Sequence, residues 1–129
     1  MTVFLAPELF WRTDPLTLAG SRCRACGNVG FPVSEHCSGC GDGPTDTIAL
    51  PERGTIWTWT VQRFAPKAPY EIPSGGFAPF AVGYVDLGDV LIESVILADI
   101  DRLAIGQAAR LVPYPLPGAD DAASFAFSA

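Results

Sequence analysis

The chain has 129 residues, 49% of them hydrophobic, and a formal charge of −6 at pH 7 from 14 acidic and 8 basic side chains. That length bounds it to one compact domain or two very small lobes with a modest core. An acidic balance with one lysine, Lys67, argues against nucleic acid as a partner, because a phosphate backbone needs clustered cations to release its counterions. No apolar run approaches a membrane span, so the positive mean hydropathy points to partner-facing surface and not to lipid.

The opening Met-Thr-Val-Phe-Leu-Ala-Pro has neither a cationic start nor a long apolar core, so a cytoplasmic location is expected. Residues 7–12, Pro-Glu-Leu-Phe-Trp-Arg, can form one or two helical turns, with Pro7 at a tolerated first position and Asp14-Pro15 ending them. Phe10 and Trp11 cannot both be buried by so short a helix; they either cover the next segment of the chain or dock onto a neighbour.

That next segment carries Cys23-Arg24-Ala25-Cys26-Gly27, answered by Cys37-Ser38-Gly39-Cys40-Gly41, and these pairs hold all four cysteines of the chain. A Cys-x-x-Cys pair can wrap both sulfurs around one ion, and two pairs make a complete tetrahedral set. The glycine after each second cysteine suits a tight knuckle, since a residue without Cβ adopts positive φ cheaply. Zinc is the default metal for four thiolates; a single iron in a rubredoxin-like site has nearly the same geometry. One ion per chain is expected, held by Cys23, Cys26, Cys37 and Cys40, and structural, because four protein ligands leave no open position. Two disulfides are the alternative, which the opening residues, offering no support for secretion, disfavour. His36, the one histidine, is read as a solvated loop residue beside Cys37.

The segments around the first knuckle, 16–22 and 29–32, read as a short hairpin, and residues 46–50 as a third ribbon strand. Too little apolar surface lies here to fold unaided, so metal should supply most of the ribbon's stability. A boundary comes next, giving residues 1–50 as helix and ribbon and 51–129 as a second lobe. Residues 54–62 alternate, placing Trp57, Trp59 and Val61 on one face and Thr58, Thr60 and Gln62 on the other. Further strands are expected at 80–87, 90–97, 108–113 and 124–127, with a hairpin turn at Leu87-Gly88-Asp89. Residues 99–106 suggest one helical turn, capped by Asp99 and ended by Gly106. Five such strands fit a small OB-type Greek-key barrel; a sandwich fragment would leave two edges exposed.

Residues 64–79 join the first two barrel strands with four prolines, three aromatics and Lys67. A loop of that length is usually functional or disordered, and its aromatics argue against plain disorder; in OB folds it borders the ligand-binding face, and a stiff proline-rich connector is the alternative. Phe125 and Phe127 alternate in the tail and either finish the barrel or meet a partner.

The order of these features resembles the zinc-ribbon plus OB-fold family of acyl-CoA-associated proteins. It is carried by Phe10-Trp11, Arg22 to Gly27, Phe31-Pro32, Cys37 to Gly41, the Gly54 to Val61 strand and Ile105-Gly106. The resemblance implies a mainly β protein: short helix, rubredoxin-like ribbon, then a five-stranded OB barrel. It further implies a non-catalytic accessory subunit or domain in a hetero-oligomer with a thiolase-fold enzyme. That partner would be a thiolase or a retro-aldolase cleaving a carbon–carbon bond in a lipid, sterol side-chain or aromatic acyl-CoA. In this picture Phe10 and Trp11 face the partner, and Lys67, Tyr70 and Phe77 lie near the acyl-CoA. A domain of an enoyl-CoA hydratase assembly is the alternative, and a nucleic-acid-binding ribbon/OB module the third.

The residues read by themselves agree. With the cysteines committed to metal and one histidine in the chain, no nucleophile–base pair can be assembled. Asp86 with Asp89 and Asp99 with Asp101 occupy turn and cap positions and are not acid–base dyads.

Overall fold

Ten strands and one 3₁₀ turn build the part of the chain that the computed structural model describes, residues 3–37, 39–41, 43–65, 67, 75–115 and 122–129. In chain order these are β1 (Val3–Phe4), the 3₁₀ turn (Pro7–Leu9), β2 (Phe10–Thr13), β3 (Leu16–Cys23), β4 (Val29–Gly30) and β5 (Thr45–Ala49). Then come β6 (Arg53–Gln62), β7 (Phe80–Asp86), β8 (Leu91–Leu97), β9 (Ala108–Pro115) and β10 (Ala122–Ser128).

The helix expected over residues 7–12 shrinks to the single 3₁₀ turn. Phe10 and Trp11 lie beyond it in β2, which doubles back at Asp14-Pro15 to pair antiparallel with β3. Tertiary pairing overrides the local helical reading here, because β3 offers an open ladder next to a segment of neutral propensity. β3 organises the ribbon by pairing antiparallel with β2, β4 and β5. Its residues are buried from Thr17 to Ser21, as suits a strand covered on both faces.

The other five long strands close on themselves in the cyclic order β6-β7-β8-β10-β9. The β8–β10 pairing is parallel and the remaining contacts are antiparallel. Closure removes the two edges a sandwich would have left. β1 adds in parallel to the start of β10. Strand period two holds through β7 and β8, where Ala81, Gly83 and Val85, then Ile92, Ser94 and Ile96, point inward.

In β6 the expected alternation fails at one place. The register against β7 slips between Ile56 and Thr58, so Trp57 is an extra residue. A bulge of this kind inverts the phase of everything after it. Ile56 is buried, Trp59 and Val61 are half-buried, and Trp57 stands outside, 52% exposed, with its ring 6.2 Å from that of Tyr84. Residues 99–106 form turns without a helix. Asp99 accepts from the Asp101 and Arg102 N–H groups, and Gly106, at φ +86°, returns the chain to the barrel through its N–H to the Ile56 carbonyl.

Ribbon and barrel share one core. Leu18, Val29 and Leu50 join Ile56, Val85, Ile92, Ile96, Leu111 and Phe127 in a single apolar cluster. Phe125 bridges the two parts, edge-on to Phe10 at 6.2 Å, Phe31 at 6.0 Å and Phe127 at 6.4 Å. The tail phenylalanines thus finish the barrel.

Candidate metal centre

Two matching knuckles bring the cysteines together. The first hangs between β3 and β4, where the Gly27 N–H donates to the Cys23 carbonyl at 2.9 Å; in the second the Gly41 N–H donates to the Cys37 carbonyl at 3.2 Å. Both turns need left-handed backbone, with φ +78° at Gly27 and +75° at Gly41, which is why glycine comes after each pair. The four Sγ atoms lie within 4.8 Å of one another. Cys23 Sγ is 3.7 Å from Cys40 Sγ and Cys26 Sγ is 3.5 Å from Cys37 Sγ. Zinc–sulfur bonds of about 2.3 Å in a tetrahedron place sulfurs about 3.8 Å apart, so the donor set fits a single ion. None of the cysteines is in a disulfide.

The buried member of each pair is prepared for negative charge. Cys23 Sγ accepts from the N–H groups of Cys26 at 3.5 Å and Ala25 at 3.4 Å. Cys37 Sγ accepts from those of Cys40 at 3.4 Å and Gly39 at 3.2 Å. These donors hold the Cys23 thiol below its ordinary range, the Cys26 N–H most strongly. The Cys37 thiol is lowered to about 6, the Cys40 N–H contributing most. Hydrogen bonds to a thiolate stabilise the form that binds metal. Cys26 and Cys40 face solvent at the rim.

Around this centre, Arg24 donates from Nη2 to Asp46 Oδ1 at 2.7 Å and from Nε at 2.9 Å, tying the first knuckle to β5. Asp46 is held below the usual carboxylate range by that bond. The Thr45 hydroxyl donates to the Ser34 carbonyl, and the Ser34 N–H donates to the buried Ser21 Oγ at 3.3 Å, steadying the loop between the pairs. His36 is exposed in that loop and its backbone N–H meets Ser34 Oγ, in accord with a solvated role. The backbone donors Ala25 and Gly39 and the Arg24–Asp46 brace were not singled out from the sequence. Their one sequence signal is position inside or next to a Cys-x-x-Cys loop.

The other candidate residues are not gathered here. Phe10 is half-buried, packed on Phe4 at 5.1 Å and on Phe125, whereas Trp11 is 48% exposed. Val3 and Leu5 are exposed as well. Lys67 is exposed, and Phe77 is half-buried with its ring 6.1 Å from Phe80. Tyr70 lies outside the described residues.

Family models agree with this order of parts. The one described as "ChsH2, rubredoxin-like zinc ribbon domain" matches residues 11–46, and "ChsH2, C-terminal OB-fold domain" matches residues 47–112. The chain is 30% identical over 74 residues to benzoylsuccinyl-CoA thiolase subunit BbsA of Thauera aromatica, an alignment covering 57% of this chain and 46% of that protein. It is 29% identical over 110 residues to a DUF35 domain-containing scaffold protein of Methanothermobacter thermautotrophicus, covering 79% and 77%. The chain therefore spans less than half of the thiolase subunit. Among solved structures, the Ltp2-ChsH2(DUF35) aldolase superposes with a TM-score of 0.66 over 87% of this chain and 84% of that one at 21% identity, a likeness of fold. The zinc-ribbon match and the gathered thiolates together make this a centre for one structural zinc.

Proposed function

Because the chain belongs to the ChsH2 family of zinc-ribbon and OB-fold domains, we propose that it is a non-catalytic partner in an acyl-CoA-processing complex. The enzyme it serves has a thiolase fold and cleaves a carbon–carbon bond beside the thioester of a lipid, sterol side-chain or aromatic acyl-CoA, in the cytoplasm. Relatives named as a thiolase subunit and as scaffold proteins support the reading. The observation that carries it is the closed centre: Cys23, Cys26, Cys37 and Cys40 saturate a tetrahedral ion, which leaves the metal to hold structure and not to bind substrate.

The division of labour matches the two parts of the chain. Residues 1–50 anchor the partner through Trp11, whose neighbour Phe10 is spent on the internal core. Residues 51–129 bring the loop with Lys67, Tyr70 and Phe77 toward the acyl-CoA. Co-purification from the native host tests the reading: a thiolase-fold enzyme should come with the chain at a fixed ratio. A hydratase in its place, or turnover of acyl-CoA by the partner-free chain, would overturn it. Trp11→Ala should weaken the complex by about 2 kcal/mol, roughly thirtyfold, as truncating a buried aromatic anchor does. Unchanged affinity would remove Trp11 from the interface.

A further inference from the structure

Three arginines of this acidic chain have aspartate partners: Arg22 with Asp89, Arg24 with Asp46 and Arg102 with Asp99. Arg53 and Arg110 do not; among the described residues neither meets a carboxylate within ion-pair distance. They nevertheless stand directly opposite each other in the β6–β9 ladder, and Ser128 stands opposite Arg110 on its other side, in the β9–β10 ladder. Residues directly opposite in antiparallel strands project from the same face with their Cα atoms about 5 Å apart. Both arginines are exposed, so one row of the barrel wall presents two guanidinium groups and a hydroxyl to solvent. The row lines a shallow cleft of about 160 Å³, floored by Gly54, Ala108 and Ala109, where side chains leave the backbone open.

Like charges placed directly opposite weaken a sheet, so this juxtaposition is a liability unless something negative lies between them. We propose that Arg53 and Arg110 form a binding site for the phosphate group of a soluble ligand, with the Ser128 hydroxyl as a third donor. Two planar guanidinium forks match a dianion with several acceptor oxygens better than they match a carboxylate, which has one charge and two oxygens. The −6 charge of the whole chain disfavours an extended anionic membrane surface more than a small phosphate ester, for which the two nearby arginines outweigh more distant, screened charges. This site is independent of the metal centre and of the accessory role proposed above.

The test uses the zinc-loaded full chain, isotopically labelled, titrated with inorganic phosphate at constant ionic strength while backbone amide resonances are monitored. Saturable shifts are expected at Gly54, Ala109, Arg110 and Ser128, with half-saturation on the order of 1 mM. Arg53→Ala and Arg110→Ala should each weaken binding at least about tenfold, and lysine at the same positions should restore only part of it, since lysine lacks the fork. Without phosphate, the Arg110→Ala protein should melt at the same temperature as the parent or higher; a lower melting temperature would make the arginine a structural residue and overturn the site. Equal shifts with chloride, parent-like titration of Arg53→Gln, or shifts produced only by phosphatidylserine vesicles would each overturn it too.

Discussion

Cys37 concentrates the chemistry of the metal centre in one atom. Its sulfur takes two N–H bonds, and its thiol is lowered from 9.0 to about 6. A depressed thiol contributes stability that is complete above the unfolded value and is lost as pH falls through the folded one. In the metal-free chain that loss sets in near pH 6; with zinc bound, the ion competes with protons at all four sulfurs, so occupancy near one per chain at about pH 7.5 should fall on acidification, measured by metal analysis after a chelator challenge. Full retention at about pH 4 would contradict the thiolate reading. Cys37→Ser should lose zinc and ribbon structure together. Asp46→Asn, which removes the partner of Arg24 at an exposed site, should lower the melting temperature only slightly, with the difference vanishing in high salt. The four ligands were legible because spacing alone constrains a knuckle. Arg53 and Arg110 were not, because nothing near either residue announces that β6 and β9 will lie side by side.

Among the strands, β6 and β7 approach each other closely at Gly83. A Cβ there would meet the Thr58 carbonyl oxygen, the Trp59 Cα at 2.8 Å and the Ile96 Cδ1 at 2.9 Å. Two of those atoms are backbone of a paired strand, which cannot step aside. Gly83→Ala should thus destabilise the fold by about 1–3 kcal/mol, read from chemical denaturation. An unchanged midpoint would mean that the bulged strand yields. The same strand marks where sequence patterns stop being informative. β7 and β8 were readable because one face is core and the other water, which imposes period two. The slip at Trp57 was invisible, since which residue is extra depends on the register chosen with β7. β2 reads as helix in isolation for a related reason: its strand identity comes from β3, and its own residues do not alternate.

At the scale of the molecule, Phe125 joins the metal-bearing part to the barrel through Phe10, Phe31 and Phe127. Phe125→Ala should cost about 3 kcal/mol, and both chelator-induced zinc loss and thermal melting should become easier together. If only one of the two shifted, ribbon and barrel would be energetically separate despite their common core. The strand that carries Phe125 has a further consequence. β10 is the last of these ten strands to be synthesised, yet it closes the ring between β8 and β9 and receives β1. On the ribosome, all four cysteines emerge well before it, so a nascent chain can take up zinc and fold its ribbon while Ile56, Val85, Ile92 and Ile96 remain wet. Translation therefore passes through a half-built stage with an open apolar trough, and a chain stalled before Ala122 should hold zinc while binding chaperones.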